Sequence, residues 1–358
     1  MPRMIFHAAY KLNRKAVSGS GIRPVKMYDA FLEAGYDVFD LTGTAKERKK
    51  KFAQLKQEIE NGEHFDFLYS ENATIPPILG DPNHFPHPFL ERRIFAYLRG
   101  KSIPQSVFYR DIYWKFPQYV ETVGKPIAAV MRRFYEQELR MYRKYMDIVY
   151  LPSVEMGAAM PILRNLPFRA LPPGALLFES VVSTSPIKLL YIGGVGQYYK
   201  MHEFVKALAS FPQAQLTICT PANAWEKVKH EYALPSNVYV VHKSGDELTK
   251  LYAEANIAAI VVEPGEYRDF AVPIKLFEYV GRGKPILATK GTLAGTYVEE
   301  NGWGWSIPNR CEDIQAQLQK LSDSPQLIEA ATDKVQADAP GHTWLARAQT
   351  VARDLTKA

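Results

Sequence analysis

Residues Ala271 to Thr289, AVPIKLFEYVGRGKPILAT, set one cation and one carboxylate three residues apart, Lys275 and Glu278, inside a run otherwise fit for a core. The pattern reads as a short helix opening at Pro273 and stopping at Gly-Arg-Gly, with a strand over Pro285 to Thr289. A proline in the first turn of a helix lacks an N–H that would have no partner there. The next N–H groups, from Ile274 on, then point out of the helix end, which carries roughly half a positive charge. Such an end is an anion site. Lys275 adds a full charge to it. Glu278, nearly one turn further in, is badly placed for phosphate but well placed to accept bonds from sugar hydroxyls. A cation for phosphate and a carboxylate for a diol are what the diphosphate and ribose of a nucleotide require. The plain alternative is a surface Lys–Glu pair, worth roughly a few tenths of a kcal/mol.

Other segments carry chemistry of the same kind. SGSGIRP joins a first strand to a first helix, and its Gly19 and Gly21 are either an ordinary turn or a close approach to a ligand. FYRDIYW puts Arg110 and Asp111 at a strand end, followed by Tyr113 and Trp114, which suit sugar stacking; a salt-bridged surface pair is the alternative. GGVGQYY follows another strand, but Gly194 and Gly196 are followed by Tyr199 where a dinucleotide fingerprint needs glycine, and the strand AQLTICT ends without an acid for a ribose. The glycine pair still lets phosphate approach the backbone. His84 and His87, in NHFPHP, have no acid at ligand spacing and read as loop residues rather than a metal site.

These residues need elements to hold them. RMIFHAAY, YDVFDLTG, FDFLYSE, SVFYRD and DIVYLPS read as strands, separated by helices ending at Gly35, by a charged exposed helix AKERKKKFAQLKQEIENG, by FLERRIFAYLRG and by KPIAAVMRRFYEQELRMYRKYM. NATIPPILGDPNHFPHP is too proline-rich for regular structure, and a loop that long inside a domain is usually functional. RNLPFRALPPGALLFE reads as a boundary. The alternation then restarts with IKLLYIGG, AQLTICT, NVYVVHK, IAAIVVE and PILAT as strands. Two such runs predict two parallel-sheet α/β domains facing a cleft, with ligands at the strand carboxyl ends.

Composition agrees. The 358 residues suit two domains, and 47% hydrophobic with 23% charged residues is the balance of a soluble globular chain. The formal charge of +6 fits an anionic partner, whether nucleotide, lipid surface or nucleic acid. No nucleic-acid reading motif is present. The basic helix around Arg132, Arg133, Arg140, Arg143 and Lys144 could instead lie on anionic lipid. Two distant cysteines, Cys219 and Cys311, form no disulfide framework. The first ten residues do not read as a signal peptide, and no apolar run nears the ~20 residues of a membrane span. The expected location is the cytoplasm, with the inner face of the cell membrane as a further option.

PIKLFEYVGRGKPILAT resembles the donor-site segment of GT-B glycosyltransferases, above all the bacterial group related to family 4, in which P-x-K-x-x-E-Y-x-x-x-G-K-P recurs. YIGGVGQYYKMHEFVKAL, DIVYLPS, LPPG and HTWLARA resemble that group's C-domain first strand and helix, N-domain last strand, linker and returning helix. The resemblance implies a GT-B fold of two Rossmann-like, doubly wound parallel-sheet domains. The expected bounds are 1–168 for an acceptor domain, joined by a returning helix 342–358, and 169–341 for the nucleotide-sugar domain. It implies transfer of a sugar, UDP- or GDP-linked, to a hydroxyl of a glycan or lipid-linked acceptor in cell-surface polysaccharide synthesis, with retention of configuration and without a metal or other cofactor.

On this resemblance Glu278 holds the ribose. Lys275, Lys200, Gly194, Gly196, Pro273 and Ile274 hold the diphosphate, and Lys243 and Ser244 border the base. Asp111, Arg110 and Lys200 are the catalytic candidates, and Gly19, Gly21, Asp111 and Tyr113 lie on the acceptor side. Two positions depart from the group's pattern. Gly194 stands where an arginine is common, and Phe270 where a first glutamate is common, with Glu266 and Asp269 as nearby substitutes. A GT-B sugar-nucleotide epimerase and a non-catalytic binding subunit are the alternatives.

Overall fold

The computed structural model describes residues 1–16, 19–158, 160, 166–180, 183–196, 199–265 and 272–356. The chain divides into two compact units, Met1–Pro172 with Trp344–Ala358, and Pro173–Thr343.

The first unit runs β1 (Arg3–Ala8), α1 (Gly19–Glu33), β2 (Asp37–Thr42), α2 (Ala45–Glu60), β3 (Phe67–Glu71), α3 (Leu90–Gly100), β4 (Gln105–Phe108), α4 (Pro117–Val123), α5 (Lys125–Tyr145), β5 (Ile148–Leu151), α6 (Val154–Ala158) and β6 (Phe168–Ala170). Its six strands are all parallel, in the order β2-β1-β3-β4-β5-β6. Thr44 and Glu47 start α2 with a capping box, and Gly35, with φ of 87°, follows the end of α1. The sequence reads α2 as exposed throughout. Arg48 departs from that: it is fully buried, 2.7 Å from Glu91 of α3, and also donates to the Gly43 carbonyl. The proline-rich stretch holds a single turn of 3₁₀ helix, Pro77–Leu79. β6 lies where the sequence reads a boundary loop; at three residues it pairs only with β5 and is too short to show a period.

The second unit runs β7 (Lys188–Ile192), α7 (His202–Ala209), β8 (Gln215–Cys219), α8 (Ala222–Val228), β9 (Val238–Val241), α9 (Leu248–Glu254), β10 (Ile257–Ile260), α10 (Ile274–Gly281), β11 (Ile286–Thr289), α11 (Leu293–Asn301), β12 (Gly304–Ile307), α12 (Cys311–Asp323) and α13 (Gln326–Asp338). Its sheet is again parallel, in the order β12-β11-β10-β7-β8-β9. Successive β7 residues serve opposite layers. Leu189 and Tyr191 join a core with Phe204, Leu208, Ile314 and Leu318, while Leu190 and Ile192 join one with Tyr252, Phe277, Val280 and Val298. A sheet covered on both faces needs such continuous apolar strands.

The chain ends in α14 (Trp344–Thr356), which belongs to the first unit. Trp344, Ala348, Val351 and Leu355 share a core with Phe6, Phe31, Tyr69 and Phe108, and the Tyr150 hydroxyl donates to Asp354 at 3.0 Å. Among the described residues no helix is long and apolar enough to cross a membrane.

Candidate active site

Each strand order contains one switch point. In the second unit the chain builds β8 and β9 on one side of β7, then places β10 on the other. The carboxyl ends of β7 and β10 at such a switch point are where open α/β sheets take their ligands. Gly193 and Gly194 leave β7 there. The Tyr191 hydroxyl donates to the Gly194 carbonyl at 2.6 Å, and Gly196 has a φ of 105°, a conformation that glycine adopts readily. α10 starts at the same end. It is fixed by Tyr279, buried on its inner side, whose hydroxyl accepts from the Ile192 N–H at 2.9 Å. That bond ties the helix to the last residue of β7. Pro273 occupies the N-cap position with extended ψ of 134°, one residue before the first turn in which the sequence places it.

Lys275 lies in that first turn, its ammonium 2.5 Å from Glu278 Oε2, and both side chains are about one-third exposed. The Tyr252 hydroxyl donates to the same oxygen at 3.4 Å. Among the described residues Glu278 Oε1 has no partner. Lys200, after the β7 loop, is 3.7 Å from Glu263, which follows β10. Lys243, past the end of β9, pairs with Glu247 at 2.7 Å, which raises the ammonium pKa and lowers the carboxyl's. The Lys243 carbonyl accepts from the Cys219 thiol at 3.4 Å, and that thiol, pushed up by burial, also lies within the field of Lys275. Ser244 is exposed in an extended backbone conformation. Three lysines, each paired with a carboxylate, thus line the carboxyl edge of one sheet.

The first unit has its switch point between β1 and β3. Here a pocket of about 370 Å³ is lined by residues that include Tyr10, Lys11, Gly21, Thr74, Gly80 and Arg110. The proline-rich loop forms one wall and is pressed against the backbone just past β1: a Cβ on Gly80 would lie 2.2 Å from the Ala9 carbonyl oxygen. Beneath the pocket, Glu71 is buried at the last position of β3. The Tyr69 hydroxyl donates to its Oε1 at 2.6 Å, Arg23 Nε donates to the same oxygen at 3.2 Å, and Arg110 approaches Oε2 at 3.9 Å. Arg110 also donates to the Tyr10 hydroxyl at 3.3 Å. Asp111 accepts from the Tyr113 N–H at 2.8 Å, which fixes its carboxylate at the start of a 3₁₀ turn.

Residues 176–337 match the family described as glycosyl transferases group 1. The chain carries a group 1 glycosyltransferase domain. That family consists of glycosyltransferases, enzymes of class EC 2.4. Three solved structures resemble the chain over nearly its whole length. HepE of Anabaena, crystallised with UDP, has a TM-score of 0.61 at 13% identity with both chains fully covered. WaaG, a glycosyltransferase involved in lipopolysaccharide biosynthesis, has 0.58 at 14%, covering 99% of this chain and 100% of its own. A glycosyltransferase of Rickettsia africae has 0.60 at 14%, covering 99% of each. At these identities the likeness is one of fold, and the fold is GT-B. No curated protein sequence matches the chain.

In the glycosyltransferase domain the structure gathers Pro273, Ile274, Lys275, Glu278, Gly194, Gly196, Lys200, Lys243 and Ser244 at one sheet edge. In the first unit Gly19 opens α1, Gly21 lines the pocket and Tyr113 lies half-buried behind Asp111. Trp114 is different. It is buried, stacked on Tyr135 at 5.0 Å and bonded to the Tyr109 hydroxyl, so it is a packing residue rather than a platform for sugar. Glu266, Asp269 and Phe270 lie outside the described residues. The sequence reading misses Arg23, Glu71 and Tyr10. Their one sequence signal is a glutamate closing an otherwise apolar strand, FDFLYSE.

Proposed function

We infer that this chain transfers a sugar from a nucleotide diphosphate donor, UDP-linked, to a hydroxyl acceptor. The observation that carries the reading is the pairing of Glu278 with Lys275 at the start of α10, at the switch point of the unit that matches the family. HepE, of the same fold, was solved with UDP, which favours uridine over guanosine. Glu278 Oε1 accepts from the ribose hydroxyls. Lys275, once shared with phosphate, and Lys200 neutralise the diphosphate together with backbone N–H groups beside Gly194. Lys243 and Ser244 border the base. The acceptor oxygen bonds to the anomeric carbon, the anomeric C–O bond to phosphate breaks, and its electron pair leaves with UDP, where the lysines stabilise the growing charge. The acceptor proton passes to Asp111, and the configuration is retained. The acceptor side belongs to the first unit, through Gly19, Gly21, Arg110 and Tyr113.

The acceptor is a glycan or lipid-linked molecule of the cell surface, and the enzyme works in the cytoplasm, touching the inner face of the membrane through α5. What supports that contact is the exposure of Arg132, Arg133, Arg140, Arg143 and Lys144 beside half-exposed Ile127 and Val130.

Calorimetric titration with UDP tests the site. Glu278→Ala is expected to weaken binding at least tenfold, about 1.4 kcal/mol, with the thermal midpoint preserved. Lys200→Ala and Lys275→Ala are expected to lower kcat more than they weaken uridine. Unchanged UDP affinity in Glu278→Ala removes the carboxylate from the site. Incubation with UDP-glucose alone separates transfer from epimerisation, since only an epimerase converts the donor without an acceptor.

A further inference from the structure

The pocket at the β1–β3 switch point has a charge balance of its own. Two guanidinium groups meet one carboxylate: Arg23 and Arg110 share Glu71. Arg23 and Glu71 are each at least 96% buried, so the surplus positive charge cannot be dispersed by water on that side. Glu71 Oε1 already takes the Tyr69 hydroxyl and Arg23, and Arg110 stands 3.9 Å from Oε2, beyond hydrogen-bond reach. Arg110 Nε is buried and has no hydrogen-bond partner among the described residues, as is true of Arg23 Nη1 and Glu71 Oε2. A buried guanidinium N–H left unmated is costly, and its natural mate is an anion.

The walls point the same way. Among the described residues the charged ones lining the pocket are Lys11 and Arg110, with no aspartate or glutamate. Lys11 stands at the mouth, shared with Glu47 at 2.8 Å. The remaining polar lining, Tyr10, Asn13 and Thr74, is neutral and of the kind that binds sugar hydroxyls. The first turn of α1 adds its positive helix end at Gly21.

We propose that this pocket selects an anionic acceptor: a sugar or glycosyl unit carrying a carboxylate or phosphate, held by Arg110 with Lys11 at the mouth, its hydroxyls on Tyr10, Asn13 and Thr74. This rests on the first unit being the acceptor side of a glycosyltransferase. Uronic acids and sugar phosphates share the required chemistry.

The test is calorimetric titration of the full chain with glucuronate, glucose 6-phosphate and glucose, each with UDP present in saturating amount so that the donor site is filled. The two anions are expected to bind at least tenfold more tightly than glucose. Arg110→Gln and, independently, the exposed Lys11→Gln should shrink that ratio, Arg110→Gln to near one, with the affinity for UDP unchanged. The better of the two anions identifies carboxylate or phosphate as the group read. Equal binding of all three, or a ratio that survives both substitutions, overturns the proposal while leaving the UDP result standing. If instead Arg110→Gln weakens UDP itself, the cation serves the donor and the proposal falls. Failure of UDP to bind wild-type protein is a separate outcome that strikes the donor reading, and the three sugars are then compared without it.

Discussion

Glu138 sits in the middle of α5 with its carboxyl group buried. Asn72 Nδ2 at 2.5 Å and the Tyr142 hydroxyl at 2.8 Å both donate to Oε1, and Oε2 has no hydrogen-bond partner among the described residues. Burial outweighs these two bonds and pushes the pKa up to about 8, with Glu91 adding to the rise. Unfolded, the side chain loses its proton near 4.5. Between those values the folded state holds one proton more than the unfolded state. Stability conferred at low pH is therefore lost as pH rises, by up to about 1.4 kcal/mol per unit, and levels off above about 8. Denaturant unfolding of Glu138→Gln between pH 5 and 9 should show that slope flattened; an unaltered slope would mean the acid is ionised in the fold. None of this is visible in EQELRMY, where Glu136 and Glu138 look alike. Which acid turns inward is decided by Asn72, which lies 66 residues away. The direction of Arg110 is hidden for the same reason. Its place at a strand end is readable, its partners Glu71 and Tyr10 are not.

α10 shows what is readable at the level of an element. Its start, its end and its two charged residues follow from local chemistry, with only a one-residue shift at Pro273. Its seating does not. The helix ends at Gly281, where an added Cβ would come within 2.3 Å of the Leu176 carbonyl oxygen and 2.6 Å of the Ala175 Cβ. Backbone on the other side cannot yield cheaply. Gly281→Ala should lower stability by about 1–3 kcal/mol, lower the melting temperature and, by tilting the helix off the Tyr279–Ile192 bond, weaken UDP as well. An alanine variant with wild-type melting temperature would show the contact to be soft. The strands with strong apolar runs are legible for a similar reason, since burial on both faces writes itself into composition. β6 and α4 carry no such mark, being short and bounded by prolines.

At the scale of the molecule the formal charge of +6 is not evenly spread. α5 exposes six cations, Lys125 at its start and then Arg132, Arg133, Arg140, Arg143 and Lys144, of which Arg140 is tied to Glu136 at 3.3 Å. Phe85 and Phe89, 61% and 58% exposed, lie on the loop whose Pro88 and Phe89 share a pocket with α5. Each cation near an anionic bilayer contributes about 1 kcal/mol. Arg132→Glu with Arg133→Glu should therefore weaken sedimentation with phosphatidylglycerol vesicles by at least about 30-fold, and wild-type binding should fall as salt rises. Identical binding of the two proteins would make the helix an ordinary solvated one. The doubling of an α/β plan was legible in the alternation of elements, but whether a charged helix faces water or lipid is a property of the assembled surface.

The last helix has a consequence for how the protein is made. The first unit keeps a seat in its core for Trp344, Val351 and Leu355, and these residues are translated only after all of Pro173–Thr343. At ordinary ribosomal speed that delay is roughly ten to thirty seconds. Throughout it, the nascent first unit carries an unfilled apolar groove that only Trp344–Thr356 can close.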